Sequence, residues 1–321
     1  MGLSEVVAAL PLFRMRGPFE ELANVGVMFV VLQLLRMFTG LVPLAAIEFF
    51  CHKGAFTSDD KKKLASNLWY ATYYSYMALW GTRLFLEDTG WAYDMDQVCS
   101  WQPVAQVFST WRNLHIYHCV QVAFYLNYVF AMVVGIDVRR KDQWAFAAHH
   151  VITLLLILFS RNWGYMRIQL AILALHDLAD PLVHFSKVVK LARPLWEVVP
   201  DLIMALFALV FYATRWFMFP FYLVASCRDS WLSEYPADWT RASPAIWWQA
   251  SDAGLVVAGF HVSYYGLAML LLYALYCLHL YWGGYIFNMA WKKLVLGQGK
   301  IDENSDDEGI ATDHVTKKKV E

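Results

Sequence analysis

The chain has 321 residues, of which 59% are hydrophobic, 17% aromatic and only 17% charged, with a formal net charge of -1. Soluble domains carry about 25% charged residues, so this composition excludes an ordinary soluble enzyme, and no nucleic-acid partner is expected. Apolar runs of about 20 residues, the length that crosses a bilayer as a helix, recur along the chain. An all-α polytopic membrane helical bundle of about seven transmembrane helices is expected.

The predicted helices lie near residues 24–50, 66–86, 116–136, 144–160, 165–187, 199–225 and 255–290. Basic residues cluster in alternate connections: Lys53 and Lys61 to Lys63, then Arg139, Arg140 and Lys141, then Lys187, Lys190 and Arg193, and finally Lys292 and Lys293. Positive segments stay cytosolic, which predicts a lumenal amino terminus and a cytosolic carboxyl terminus; Arg14 and Arg16 run against that pattern. The first 20 residues include Pro11, Arg14, Arg16, Pro18 and Glu20 and lack the apolar core of a cleavable signal. The first membrane helix is therefore expected to act as the targeting signal.

On this topology Cys99 and Cys227 share the lumenal side, where they can pair, although two free thiols fit the sequence equally well. Beyond Gln298 the chain is polar and expected to be disordered. Ser305 precedes Asp306, Asp307 and Glu308, an acceptor context for an acid-directed kinase or simply a solvating acidic run. Lys318 and Lys319 stand three and four places from the end, where paired lysines act as a receptor-read signal for retrieval to the endoplasmic reticulum.

The stretch from Ala147 to Lys190 departs from the apolar pattern. Two predicted helices joined at Asn162–Gly164 carry His149 and His150 on one side and His176, Asp177, Asp180 and His184 on the other. An aspartate at a helix centre costs about 2.5–3.5 kcal/mol on insertion scales, and ionisable groups inside the membrane are functional by default. His150 and Asp177 each lie about 13 residues from the turn, hence at one depth, roughly 20 Å from it at about 1.5 Å per residue. Asp177, Asp180, His184 and Lys187 form one polar stripe, with Thr153 on the face of the histidines. Tandem His149 and His150 point about 100° apart, so their roles differ. Pro181 removes a helical hydrogen bond and is expected to kink the second helix at Asp177. A hydrogen-bond network that only joins the helices is the plainer alternative. HxxHH clusters are lacking, so neither a di-iron oxygenase nor a fatty-acid elongase is indicated, and no metal is expected. A proton-coupled transporter explains the buried Asp and His but not the absence of internal repeats.

The run His149-His150, Thr153, Ser160, Arg167, His176-Asp177, Asp180 and Lys187 resembles the signature of ceramide synthases, acyl-CoA-dependent enzymes built on the TRAM-LAG-CLN (TLC) domain. The similarity extends to Arg139-Arg140-Lys141-Asp142, to Thr214-Arg215 with Phe219-Pro220, and to Leu278-His279-Leu280-Tyr281-Trp282. It covers roughly residues 60 to 292. Gly164 stands where the family usually has Asn, Gln169 replaces a usual Gly, and His184 replaces an acidic residue common in animal members. The homeobox-like insert of many animal members is absent.

The resemblance implies a lumenal tail (1–23), a first transmembrane helix (24–50), a cytosolic loop (51–65), a six-helix TLC domain (66–292) and a cytosolic tail (293–321). It implies N-acylation of a long-chain sphingoid base by a fatty acyl-CoA in the endoplasmic reticulum membrane, with acyl-CoA as co-substrate and no cofactor. His149, His150, Asp177 and Asp180 are the implied catalytic residues. Thr153, Arg167, His176, His184 and Arg215 are implied to support the site or bind substrate, and Arg139, Arg140 and Lys141 are candidates to meet CoA phosphates, although topology-setting charge explains them equally well. A histidine can accept the amine proton or attack the thioester itself, and His149 is favoured as nucleophile. Asp177 is expected beside a histidine, fixing its tautomer. Arg215 needs a partner within its helix bundle, either an Asp or substrate. The last lumenal loop, around Ser226–Asp252, is implied to help set acyl-chain length, while its tryptophans fit an interfacial belt. A homo- or heterodimer is left open. The competing class is a non-enzymatic TLC-fold protein, lipid-sensing or translocation-associated.

Overall fold

The computed structural model describes residues 18–50, 57–87, 95–99, 112–135, 142–162, 164–191, 198–234, 248–250, 254–257 and 260–295. In chain order these form α1 (Pro18–Phe50), α2 (Ser58–Glu87), the short α3 (Met95–Val98), α4 (Arg112–Val134) and α5 (Gln143–Asn162). Then come α6 (Met166–Asp177), α7 (Asp180–Leu191), α8 (Val198–Phe211), a π-helical segment (Tyr212–Val224), α9 (Ala225–Glu234) and α10 (Tyr264–Leu294). Six helical stretches among the described residues are long and apolar enough to cross a membrane, from Leu22–Thr39 to Tyr265–Leu294. The chain is a multi-pass membrane protein with a helical bundle fold, as its composition predicts. Arg14, Arg16, Lys53, Arg139, Arg140, Lys141, Trp239, Trp247, Ser305, Lys318 and Lys319 lie outside the described residues.

Helix α2 starts eight residues before the predicted boundary. Thr57 and Asp60 explain the early start: the Asp60 amide donates to Thr57 Oγ1 at 3.1 Å and the Thr57 amide donates to Asp60 Oδ2 at 3.2 Å. This reciprocal capping box satisfies amides that the first turn leaves unbonded, so Lys61 to Lys63 sit in a helix and not in a loop. Although too polar to count among the six spans, α2 is at the centre of the packing. It lies against α1, α6 and α7, and buries Leu64, Trp69, Tyr70, Tyr73, Tyr74 and Met77. Its Tyr73 ring stacks on Phe124 of α4 at 3.6 Å. Between helices in lipid such close contact replaces the hydrophobic effect as the source of cohesion.

Where one helix was expected over 165–187, the chain breaks at Leu178–Ala179. Pro181 has no N–H to return to Asp177, and the ladder gives way there to bonds from the Ala179 and Leu182 amides to the His176 and Ala179 carbonyls, so the expected kink divides the span into two helices. The predicted sixth helix instead continues without a break from Val198 to Glu234, but its centre winds as a π-helix that contains Pro220. Buried Thr214, Arg215, Phe219, Leu223 and Val224 line one face of that segment.

The last predicted helix, 255–290, starts nine residues late. Its first part falls in β2 (Gly254–Val257) and β3 (Phe260–Ser263), which with the preceding β1 (Trp248–Ala250) form a three-stranded antiparallel sheet, with Gly254 opposite Ser263 and Trp248 opposite Val257. Short apolar runs rich in valine do not distinguish strand from helix by periodicity, and the β-branched residues favour the strand.

Opposite that sheet-bearing end, α2 and α5 begin and α4, α7 and α10 finish. There Lys62 Nζ donates to the Gly135 carbonyl at 3.4 Å, and Lys293 pairs with Asp201. This is the basic end of the bundle.

Candidate active site

Helix α5 carries His149, His150 and Thr153, and the turn after it returns the chain antiparallel as α6. Gly164 makes that turn with φ +78°, in the left-handed region that Gly and Asn enter most readily. The family's usual Asn at this point is thus conformationally equivalent. The reversal brings His149 opposite His176, their rings near parallel with centroids 6.3 Å apart. Counting from the turn matches His150 with Asp177; the rings that face one another belong to the residue before each of these.

The tandem histidines diverge as helix geometry requires. His150 is 2% exposed and packs on Tyr128 at 3.9 Å and Tyr125 at 5.4 Å, both from α4. His149 turns towards α10, where Trp282 meets it edge-on at 5.4 Å. Its Nδ1 has no hydrogen-bond partner among the described residues. Trp282 is itself anchored: its Nε1 donates to Asp142 Oδ2 at 3.1 Å, and Asp142 opens α5.

The interruption after Asp177 takes the His176 carbonyl out of the regular ladder. Arg215 of the π-helical segment occupies it, donating from Nη2 at 2.9 Å, and the same nitrogen pairs with Asp180 Oδ1 at 2.5 Å. Asp180 is thus the partner that Arg215 needs. Phe211 covers the guanidinium at 5.0 Å, a cation–π contact that is stronger away from water. A buried ion pair is tolerated in an apolar bundle only with such added bonds.

Asp177, 1% exposed, faces away from these groups. Its Oδ2 accepts from Gln121 Nε2 at 2.9 Å and from the Tyr117 hydroxyl at 3.4 Å, while Tyr73 donates to Gln121 Oε1 at 3.3 Å. Among the described residues it bonds to no histidine, contrary to expectation, because its side chain points into the α4 face. The histidine tautomers are set elsewhere. His176 Nδ1 lies 2.7 Å from the Ile172 carbonyl and its Nε2 lies 2.8 Å from Nε2 of His279 on α10. His184 Nδ1 donates to Asn67 Oδ1 at 2.9 Å, with Asn67 oriented by its bond to the Lys63 carbonyl, and the ring lies beside Tyr70 and Tyr74.

Ser160 donates to Gln169 Oε1 at 2.6 Å, and Gln169 Nε2 lies 3.0 Å from His118 Nδ1. The departure at Gln169 therefore carries a buried polar link of its own. Arg167 is half-buried near the start of α6 and lines neither chamber described below.

Two chambers flank the histidines. The more polar one, of about 190 Å³ on the basic side, is lined by His149, His150, Asp180, His184, Lys187 and Arg215 together with aromatic and aliphatic side chains. An apolar one of about 300 Å³ starts at Thr153 and His176 and runs between α5, α6 and α10 towards the opposite end. There Cys99 and Cys227 line it and are joined in a disulfide, so the pairing left open by the sequence is present. Tyr265 closes this end, donating to the Cys227 carbonyl at 2.7 Å and meeting Tyr165 edge-on at 5.1 Å.

Sequence reasoning did not single out Tyr117, Gln121, Tyr125, Tyr128, His279 or Trp282 as site residues. Tyr117, Gln121, Tyr125 and Tyr128 recur every three or four places, and so share a face of α4, a signal that was present. Arg36 of α1, over the Tyr70 ring at 5.7 Å, was overlooked despite being an arginine within an apolar run.

The TLC domain model matches residues 63–288. Human ceramide synthase 5 is 28% identical over 245 residues, 76% of this chain and 54% of the human protein. Its mouse counterpart is 30% identical over 247 residues, 76% of this chain and 51% of the mouse protein. ASC1-like protein 3 of Oryza sativa subsp. japonica is 28% identical over 278 residues, 83% of this chain and 87% of the rice protein. The chain spans about half the length of the human and mouse relatives. With the match to the domain model covering most of its length, the chain belongs to the TLC domain family.

Proposed function

We propose that the protein is a ceramide synthase, moving a fatty acyl group from acyl-CoA to the amine of a long-chain sphingoid base. The observation that carries this is a pair of cavities on either side of the histidines, the more polar one lined by His149 and His150 and the apolar one by His176. An acyl-CoA has that same division, with the thioester at the junction. Its alkyl chain fits the apolar chamber, and its phosphates lie towards Lys63 and Lys187 at the basic end. The sequence adds Arg139, Arg140 and Lys141 just before α5, outside the described residues.

His149 is the nucleophile in this scheme, since it lines the polar chamber and its Nδ1 has no competing bond among the described residues. Its lone pair attacks the thioester carbon, an N–C bond forms, the C–S bond breaks, and CoA leaves as thiolate towards the basic end. The sphingoid amine then attacks the acyl-imidazole, and the imidazole departs. The amine gives up its proton to His150, which returns it to the thiolate or to solvent. Asp180 and Arg215 border the same chamber, and Arg215, paired with Asp180, donates to the His176 carbonyl and keeps α6 against the π-helical segment. Thr153 Oγ1, buried and with no partner among the described residues, is a donor for the developing oxyanion.

The endoplasmic reticulum membrane, with the basic end in the cytosol, is the location this scheme requires. A disulfide at the far end is consistent with an oxidising lumen there. The test is expression in membranes without endogenous activity, with sphinganine and acyl-CoAs of graded length, reading ceramide by mass spectrometry. Formation of ceramide from none of them would sink the assignment. Intact mass after acyl-CoA alone should show one added acyl group, lost in His149→Ala. A wild-type chain that turns over without ever carrying the acyl group leaves direct transfer as the mechanism.

A further inference from the structure

We infer that His279 is a positioning residue for acyl transfer, one that keeps His176 from acting as a base so that His149 alone meets the thioester. This rests on the acyltransferase reading above and deepens it.

The bonds fix the protons. A carbonyl oxygen only accepts, so His176 Nδ1, 2.7 Å from the Ile172 carbonyl, carries the hydrogen. In the neutral ring the other nitrogen is then a lone pair. The 2.8 Å contact between the two Nε2 atoms needs one hydrogen, which only His279 can supply. His279 is therefore the Nε2–H tautomer, and its Nδ1 is a buried acceptor with no partner among the described residues. The ring is 0% exposed and held edge-on by Phe219 at 4.8 Å. Trp216 Nε1 donates to the His279 carbonyl at 3.1 Å, fixing the backbone beneath it.

His176 lines the apolar chamber and stands 6.3 Å from the His149 ring, close enough to compete for the same substrate carbon or proton. With Nδ1 tied to Ile172 and Nε2 filled by His279, it has no lone pair to offer. A purely packing role for position 279 needs only an apolar residue of similar size. The structure instead leaves one buried nitrogen unbonded at a cost, which the hydrogen bond to His176 accounts for.

His279→Met removes the donor at similar volume. His279→Asn keeps an amide too short to reach, and His279→Gln carries an amide long enough to replace Nε2–H. All are assayed as full-length protein in membranes, with ceramide as product. His279→Met and His279→Asn should lower kcat by roughly fivefold to a hundredfold, the rate equivalent of one buried hydrogen bond left unmade. KM for acyl-CoA should stay within about twofold, and His279→Gln should recover most of the rate. In a His176→Phe background, His279→Met should add little further loss, since the two act as a unit. The inference is overturned if Gln is no better than Met or Asn, or if the His279 effect persists undiminished without His176. It is also overturned if the loss falls on KM instead of kcat. Failure of the wild-type chain to make ceramide overturns the acyltransferase reading itself, and is distinguished by that control.

Discussion

A wall built into the apolar chamber should shorten the longest acyl chain the protein accepts. From His176 to Tyr165 is eleven residues of α6 and its cap, or about 16 Å at about 1.5 Å per residue. An extended hydrocarbon advances about 1.25 Å per carbon for a bond of about 1.5 Å, so the chamber holds roughly 13 carbons below the histidines. An acyl group of about 14 carbons should therefore be favoured, with much longer chains excluded by Tyr265 and the Cys99–Cys227 bond. Met269 also lines the chamber and lies one turn above Tyr265, or about 6 Å. Met269→Trp should lower the limit by about five carbons, and Tyr265→Ala should raise it. The assay is competition among equimolar acyl-CoAs, with ceramides resolved by mass and normalised within each variant. An unchanged upper limit in both variants, with the wild type active, would refute the chamber as the acyl site.

Other substitutions address the parts that hold the site. A Cβ at Gly81 would lie 2.7 Å from the Tyr117 hydroxyl oxygen, so Gly81→Ala should cost about 1–3 kcal/mol by overpacking and disturb the bond from Tyr117 to Asp177, seen as a lower melting temperature in detergent. Gly164→Val should cost at least about 1–2 kcal/mol because of the positive φ, whereas Gly164→Asn should melt near wild type. Arg215→Met leaves Asp180 without its cation, and should destabilise by about 3 kcal/mol, the lower end for a buried pair because Asp180 is partly exposed. Cys99→Ser, or reduction of the wild type, should lower stability by about 2–5 kcal/mol, and a melt indifferent to reductant would contradict this.

The aspartates and histidines were conspicuous in the sequence because each is expensive inside an apolar helix. Their partners were not conspicuous, for a physical reason. Tyr117, Gln121 and His279 are amphipathic or neutral groups that cost little when bonded, so nothing in hydropathy marks them. Asp177 was misjudged because sequence depth specifies height in the bilayer but not azimuth. Its neighbour His176 faces α10 while Asp177 faces α4. Arg215 was seen to need a counter-charge, but the π-helical winding that presents it to Asp180 has no recognisable period in the residues. A kink at Pro181 was legible, since a missing N–H has only local consequences, but the division into two helices was not. The strands near residue 255 were not, because seven or eight apolar residues suit either element.

Sharing one guanidinium nitrogen between the His176 carbonyl and the Asp180 carboxylate has a mechanical consequence. The two halves of a broken helix and the π-helical segment of another are tied at one point on the wall of the more polar chamber. Any motion that swings α7 away from α6, to admit a bulky substrate from the basic end, must stretch that point or carry the π-helical segment along with it. The three elements that meet at the more polar chamber are thus coupled through one charged contact.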